Sequence, residues 1–191
     1  MSKEPVSFSI EPVGPESSLL PAVILLHGAS KGNVGAFPKG AFEEAARKKW
    51  ILAAIAPDGS VAGYVVYRVA RNRAAVTHLV TGKKFQGQGA ARSLMDALKL
   101  ETKHLAGISL KCRRDYNLAD MWRGFGFTVR HTREGRGRER ALLDCWWFDH
   151  GHADLFSFAA AQDEDAEVVQ VAIDANVFYD LTCDNRPQGE D

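Results

Sequence analysis

The stretch of sequence that decides the fold reads Gln86-Gly87-Gln88-Gly89-Ala90-Ala91. A β-rich segment at 74–81 precedes it, and an apolar pattern of helical spacing follows it at 90–104. Glycines at such a junction let the backbone pass close to a ligand, and the first N–H groups of the helix add partial positive charge at the same place. The loop therefore predicts a pyrophosphate site. Three cationic residues flank it: Lys83, Lys84 and Arg92.

An ordinary tight turn between a strand and a helix is the alternative interpretation of the two glycines. Two better-known nucleotide loops do not fit. No Gly-Lys-Ser/Thr follows, so the segment is not a P-loop. The Rossmann glycine pattern follows the first strand of a βαβ repeat, and that context is missing here.

The other elements predict a mixed sheet. Strands are predicted at 6–13, 50–56, 61–69, 74–81, 107–112, 127–130 and 141–148, and helices at 17–27, 39–49, 90–104 and 117–123. The strands between 50 and 81 can pair antiparallel, whereas those on either side of the helix at 90–104 must run parallel. Asn117, with Asp120 three residues later, is predicted to N-cap the last helix. The fold class is an α/β (α+β mixed sheet) fold, with a central mixed β-sheet flanked by helices.

The charges are balanced only in total. The chain has 24 Lys and Arg and 24 Asp and Glu among 191 residues. Residues 83–140 hold 14 of the basic groups against 6 acidic ones, whereas residues 141–191 hold 12 acidic groups and 1 basic group. Net neutrality therefore does not exclude an anionic ligand, and the middle of the chain is where we expect one.

We expect neither a signal peptide nor a membrane-spanning segment. The first residues of the chain lack an apolar core behind a basic region, and no run approaches the roughly 18 apolar residues of a span. The three cysteines, Cys112, Cys145 and Cys183, are far apart and odd in number, which is typical of reduced thiols. We expect a cytoplasmic protein with no membrane partner and no metal site. The short segment Asp149-His150-Gly151-His152-Ala153-Asp154 is better explained as a turn that closes the domain.

Two motifs together resemble the GNAT N-acetyltransferase superfamily. The loop at 86–91 fits the pattern Gln/Arg-x-x-Gly-x-Gly/Ala, with which that superfamily binds acetyl-CoA. Farther along, 117–127 resembles its second signature, with an Asn, an Ala, an aromatic residue near the helix end, and Gly-Phe. The resemblance covers about residues 6–148. It implies a GNAT-like fold, acetyl-CoA as cosubstrate, and transfer of an acetyl group to a primary amine of unknown identity.

The resemblance also implies roles for individual residues. Backbone groups at 79–81 would pair with the pantetheine arm, the amides of 86–91 would hold the pyrophosphate, and Asn117 would contact the cofactor from the other side of the splayed strands. The cofactor-binding residues implied in this way are Leu79, Val80, Thr81, Gln86, Gly87, Gln88, Gly89, Ala90, Ala91, Arg92, Asn117 and Trp122.

His78 is the candidate catalytic base. Aligning Leu79-Val80-Thr81 on the family's Leu-x-Val places His78 where many relatives carry a Glu, and a histidine can accept a proton near neutral pH. A strand histidine that is merely packed is the alternative. Trp122 stands where the family's usual acid, a Tyr, would be, and indole has no titratable proton. Tyr116 is a substitute acid or a packing residue.

An arginine-rich segment at 130–140 is predicted to be an exposed loop between two strands. Arginines bind phosphates through paired hydrogen bonds, so the functional hypothesis is RNA or another polyanion, with aminoacyl-tRNA as one acceptor. The alternative is a solvated loop that pairs with the acidic part of the chain. A homodimer is left open. The arginines are Arg130, Arg133, Arg136, Arg138 and Arg140.

The C-terminal part is divided from the rest by its composition. Residues 1–158 are assigned to the GNAT-like domain and 159–167 to an acidic linker. Residues 168–191 resemble the start of a PIN nuclease domain, with Asp174 in the place of that family's first metal-binding acid. A lone apolar strand added to the first domain is the alternative. A second function hypothesis follows, a non-catalytic acyl-CoA- or RNA-binding module that regulates an attached nuclease.

Overall fold

The computed structural model of the protein describes residues 6–30, 37–135 and 140–152, together with the backbone of residues 170–172. The strands are β1 (Ser9–Pro12), β2 (Ile51–Ile55), β3 (Val61–Ala70), β4 (Arg73–Thr81), β5 (Gly107–Arg113), β6 (Thr128–Glu134), β7 (Leu142–Asp149) and β8 (Gln170–Ala172). The helices are α1 (Leu19–Ala29), α2 (Lys39–Arg47), α3 (Ala90–Glu101) and α4 (Ala119–Gly124). No helix in these ranges is long and apolar enough to cross a membrane.

The strands form one mixed sheet, which confirms the predicted fold class. Its order is β1-β2-β3-β4-β5-β7-β6. Neighbours along this order pair antiparallel except β4 and β5, which run parallel as the helix between them requires. β8 stands outside the order and pairs with β4 in parallel.

Each face of the sheet has its own apolar core. On one face, which we call the α3 face, Leu94, Met95 and Leu98 of α3 pack with Trp122 of α4. On the opposite α1 face, Val23 and Phe42 from α1 and α2 cover the other side of β2, β3 and β4. The alternation of side chains along a strand divides neighbouring residues between the two cores.

A bulge in β4 opens the sheet in its middle. Val66 of β3 pairs with His78, but the next residue, Tyr67, pairs with Val76, so Thr77 is extra. The Thr77 hydroxyl donates to the Val66 carbonyl at 3.1 Å and so fixes the bulge. β4 pairs with β5 only from Arg73 to Ala75, and beyond that point β5 continues beside β7. The two parallel strands therefore separate at the bulge.

The predictions around α4 and β6 need correction. Asn117 is not an N-cap: the helix begins at Ala119, and Asn117 has a φ of 54°, in the left-handed region that Asn tolerates better than most residues. Its side-chain amide donates to the Asp115 carbonyl at 3.3 Å instead. β6 reaches Glu134, so the first arginines of the segment predicted to be a loop belong to a strand.

Helix α3 is shorter than predicted. It ends at Glu101, and the Thr102 hydroxyl then donates a hydrogen bond to the Leu98 carbonyl at 2.7 Å.

Candidate active site

The part of β4 beyond the bulge contains the residues predicted to line the pantetheine arm. Leu79 and Val80 are buried on opposite faces of the sheet, in the α3 and α1 cores respectively. Because these side chains are committed to packing, the N–H and C=O groups of the strand edge are what this stretch offers to a ligand. In the structure β8 pairs with that edge, with His78 opposite Gln170, Leu79 opposite Val171 and Val80 opposite Ala172.

The glycine loop has a backbone suited to an anion. Gly87 and Gly89 have φ angles of 71° and 98°, and among the described residues nothing lies within 4 Å of where a Cβ would stand. The first hydrogen bond of α3 runs from the Ser93 N–H to the Gly89 carbonyl at 3.0 Å. The N–H groups of Ala90, Ala91 and Arg92 therefore have no acceptor within the helix. Open space beside these amides at the positive end of a helix fits a pyrophosphate.

Three side chains of this region bond within the protein. Gln88 donates to the Lys84 carbonyl at 2.6 Å, and the Lys84 ammonium pairs with Asp58 at 2.8 Å. Arg92 donates to the Gly124 carbonyl at 3.2 Å, and its guanidinium lies 5.1 Å from the centre of the Phe125 ring. Arg92 thus ties the start of α3 to the end of α4, so it joins the two motif segments. Gln86 is half-buried beside them.

The second motif segment is mostly structural. Trp122, which the sequence placed among the cofactor-binding residues, is 0% exposed and packs edge-to-face on Phe125 and Phe127. A side chain with no exposed surface cannot touch a ligand unless the core opens. Asn117 is exposed. Tyr116 is half-buried, and the Arg113 guanidinium lies 5.4 Å from the centre of its ring. This contact is the one expected of a packing residue.

His78 lies in a buried polar cluster on the α1 face. It is 4% exposed, and its ring stacks on that of His27 of α1, with centroids 5.4 Å apart and planes 15° apart. The Nδ1 of His27 lies 3.1 Å from the hydroxyl of Tyr64 on β3. Burial raises the pKa of the Tyr64 hydroxyl far above its ordinary value, so the phenol stays protonated. Phe37 closes the cluster, with its ring centre 4.5 Å from that of His78.

Sequence reasoning missed His27 and Tyr64. The one local signal is that His27 interrupts an otherwise apolar run in α1. Nothing in the sequence links positions 27, 64 and 78, since only the packing of α1 on β3 and β4 brings them together. Buried polar groups of this kind are uncommon in cores and gather at functional sites.

The basic segment makes ion pairs within the chain. Arg140 pairs with Glu134 at 2.7 Å. Arg130 lies 3.7 Å from Asp149 and over the ring of Trp147. Arg133 is half-buried, while Arg136 and Arg138 lie outside the described residues. The RNA hypothesis therefore stays a prediction.

A second ion-pair network joins Arg114, the residue directly after β5, to β6 and β7. Arg114 donates to Asp144 at 2.7 Å, and the Thr132 hydroxyl donates to the same carboxylate oxygen at 2.8 Å. The hydrogen bond from Arg114 favours the ionised form of Asp144 and lowers the pKa of this carboxyl. Burial acts in the opposite direction, but the pKa remains below its ordinary value.

The two histidines after β7 contact the residues that follow α3. The Nε2 of His150 lies 3.2 Å from the Thr102 hydroxyl, and His152 contacts the Lys103 carbonyl. Burial lowers the pKa of His150. Within the described ranges no three His, Cys, Asp or Glu side chains come together in an arrangement that could hold a metal ion.

Solved structures share this fold. Ard1 from Thermoplasma volcanium is 17% identical with a TM-score of 0.64, and the match covers 75% of this chain and 98% of that one. The ribosomal-protein-S18-alanine N-acetyltransferase from Escherichia coli is 18% identical with a TM-score of 0.63, covering 78% and 97%. The NatC complex bound to Gag peptide and CoA contains a chain that is 14% identical with a TM-score of 0.62, covering 75% and 98%. No curated protein sequence matches the chain.

The PIN-like interpretation of residues 168–191 finds no support. The family match described below ends at residue 139. Of the C-terminal segment the structure describes only the backbone of β8, which joins the sheet of the first domain. That arrangement is the added strand of the alternative hypothesis. The linker at 159–167 and Asp174 lie outside the described residues.

The family itself is shown by the sequence. The family model described as "Acetyltransferase (GNAT) domain" matches residues 35–139, which is more than half of the chain. The match spans the β4 bulge, the glycine loop and the second motif segment. The chain belongs to the GNAT acetyltransferase family.

Proposed function

We propose that the protein is an N-acetyltransferase that transfers an acetyl group from acetyl-CoA to a primary amine. The observation that carries the proposal is the separation of β4 from β5 at the Thr77 bulge, directly before the glycine loop. It leaves residues 78–80 of β4 without pairing to β5, so that an amide-bearing arm could pair there in place of β8. The chain then leads into three helix N–H groups for a pyrophosphate. Acetyl-CoA would supply the activated acetyl thioester at this place.

The proposed roles follow from what each backbone segment offers. Residues 79–81 provide alternating N–H and C=O groups to the pantetheine amides, and the amides from Gln86 to Ala91 hold the phosphates. Arg92 acts by positioning, because its bond to the Gly124 carbonyl fixes α3 against α4. Trp122 stabilises the same contact from within the core and does not touch the cosubstrate.

His78 is proposed as the general base. An amine reaches the enzyme as an ammonium ion and becomes a nucleophile only after losing a proton. The imidazole of His78 lies on the α1 face, one residue after the bulge, and a neutral imidazole has a ring nitrogen that can accept that proton. His27 and Tyr64 hold it in place, since the stacked ring of His27 is itself fixed by the Tyr64 hydroxyl.

The acceptor is proposed to be an amino group at the end of a polypeptide. The names of two solved relatives support this class: one is an S18-alanine N-acetyltransferase and one is bound to a peptide and CoA. Aminoacyl-tRNA is the second acceptor to test, because residues 83–140 are strongly basic.

A non-catalytic acyl-CoA-binding module is the second candidate function. It is favoured by the burial of His78 and by the presence of Trp122 where the family's usual acid would stand. The two candidates share cofactor binding and differ in turnover.

One pair of measurements tests and separates the two candidates. Calorimetry with CoA tests the shared site, and release of free thiol from acetyl-CoA with pooled N-terminal peptides tests turnover. Binding together with thiol release supports the enzyme, and binding without release from any peptide or aminoacyl-tRNA supports the module. Absence of CoA binding contradicts both.

A further inference from the structure

β8 lies on the same part of β4 that the proposed function assigns to the pantetheine arm. Its three residues pair with His78, Leu79 and Val80 in parallel register. We propose that the edge of β4 that β5 leaves unpaired is a strand-binding site for the chain's own segment Gln170–Ala172, and that this segment and acyl-CoA exclude one another. The inference rests on the proposed function, because it names a competitor for the same edge.

The two occupants cannot bind together because β4 has only one free edge. On its other side β3 already pairs with the same residues, since Val66 faces His78, Val65 faces Leu79 and Tyr64 faces Val80. The N–H and C=O groups directed away from β3 can each serve one partner at a time. β5 does not compete for them, because its pairing with β4 stops at Ala75.

This stretch of β4 recognises a partner through its backbone. Leu79 is 1% exposed and Val80 is 0% exposed, so neither side chain is free to select a ligand. An edge of this kind accepts any extended chain that carries amide groups, as in strand addition by peptides. A polypeptide segment and a pantetheine arm share that chemistry.

The length and charge of the segment suit a reversible competitor. A ladder of three residues makes few hydrogen bonds, so it can be displaced. The sequence around it is acidic, with Asp163, Glu164, Asp165, Glu167 and Asp174 close by in the chain. CoA is also an anion, so both occupants are attracted to the basic part of the chain at 83–140.

Proline substitutions in the full chain test the competition. Alternate residues of a strand direct their N–H groups to the same side, so either Val171 or the pair Gln170 and Ala172 donates to β4. Val171→Pro and the double variant Gln170→Pro/Ala172→Pro therefore remove the bonding N–H groups in one case and the outward ones in the other. The variant that removes the N–H groups bonded to β4 tests the competition. The variant that removes the outward N–H groups is its matched control.

The readout is the Kd for CoA measured by calorimetry, with hydrogen exchange of the β4 amides at 78–80. One proline variant is expected to bind CoA about tenfold more tightly than the unsubstituted chain, because the fraction of molecules with an open edge rises. In the same variant, amide protection at 78–80 falls and returns when CoA is added. A synthetic peptide of residues 165–176, added to that variant, is expected to weaken CoA binding again.

The outcomes separate the inference from the proposed function. Equal Kd values for all three chains, with CoA bound by each, overturn the competition and leave the proposed function standing. No CoA binding by any of the three chains overturns the proposed function, and the competition falls with it. Tighter binding in both proline variants alike contradicts recognition through the β4 ladder, and so also overturns the inference.

Discussion

The two faces of the sheet are built differently. The core under α3 and α4 is filled by aliphatic and aromatic side chains such as Leu94, Leu98 and Trp122. The core under α1 and α2 encloses two stacked imidazoles and the Tyr64 hydroxyl among its apolar residues. Burying polar groups costs free energy unless they are paired, and on the α1 face the Tyr64 hydroxyl lies 3.1 Å from the Nδ1 of His27. We therefore expect substitutions on the α3 face to act mainly on stability, and substitutions in the histidine cluster of the α1 face to act mainly on the proposed turnover.

The largest effect is expected from Leu94→Ala on the α3 face. Leu94 is fully buried, and truncation leaves a cavity, so the free energy of unfolding should fall by about 3 kcal/mol. Chemical denaturation measures it. Leu100→Ala on the same helix is the control, because Leu100 is 72% exposed and should lose almost nothing. Turnover per folded molecule stays unchanged in both variants, and a large drop for Leu94→Ala would break the division between the faces.

His78→Gln on the α1 face should show the opposite pattern. Loss of the base is expected to lower turnover at least about 100-fold, or about 2.7 kcal/mol in the barrier, while CoA still binds. His104→Gln, at an exposed histidine, controls for the substitution. Both variants are compared in the thiol-release assay and by calorimetry with CoA. Unchanged turnover in His78→Gln would remove this residue from the mechanism.

Asp144→Asn tests how much the ion pair between Asp144 and Arg114 contributes to stability. The pKa of Asp144 is lowered by Arg114, so the carboxylate stabilises the fold above the ordinary pKa of 3.8, and this contribution is lost as the pH falls through the lower folded value. We expect a loss of about 2 kcal/mol at pH 7 that disappears in acid. Denaturant titrations at several pH values measure it. Asp120→Asn is the control and should change stability little, because Asp120 pairs with Arg123 at a fully exposed position where such pairs contribute little. A loss in Asp144→Asn at pH 7 that persists unchanged in acid would contradict the role of the ion pair.

The smallest effect is also the most discriminating. Tyr64→Phe removes the hydroxyl that holds His27, and Tyr67→Phe removes one that donates to the Lys49 carbonyl at 3.3 Å on the other face of the same strand. Each should cost about 1 kcal/mol of stability. Only Tyr64→Phe should also reduce turnover, by a few-fold, because only it loosens the histidine pair. Equal turnover in the two variants would show that the cluster plays no part in catalysis.

Much of the fold was predictable because its signals are local. The helical pattern at 90–104, the alternating strands between 50 and 81 and the glycine loop each act over short distances in sequence. The mixed sheet followed from them through connection rules. The loop residues were predicted as a site from a local signal too, because glycines before a helix allow close backbone approach to an anion, although an ordinary tight turn uses the same residues.

The remainder depends on contacts between distant positions. The histidine pair requires α1 to pack on β4, and the pairing of β8 with β4 joins residues that lie far apart in the chain. Asn117 was misassigned because Asn favours both caps and left-handed turns, and only the neighbouring backbone decides between them. β6 was predicted too short because its arginines suggested a loop, although charged residues are common in a strand at the border of a sheet.

β6 has a further consequence at that border. It is the last strand on its side of the sheet, and almost all of its residues are exposed, including Arg130 and His131. An edge strand has unpaired N–H and C=O groups with which another chain can pair, and such pairing leads to aggregation. If the β6 strands of two molecules paired, their positively charged guanidinium groups would lie close together and repel one another. We therefore expect these charged side chains to disfavour pairing between the β6 strands of two molecules, a role that requires no nucleic acid.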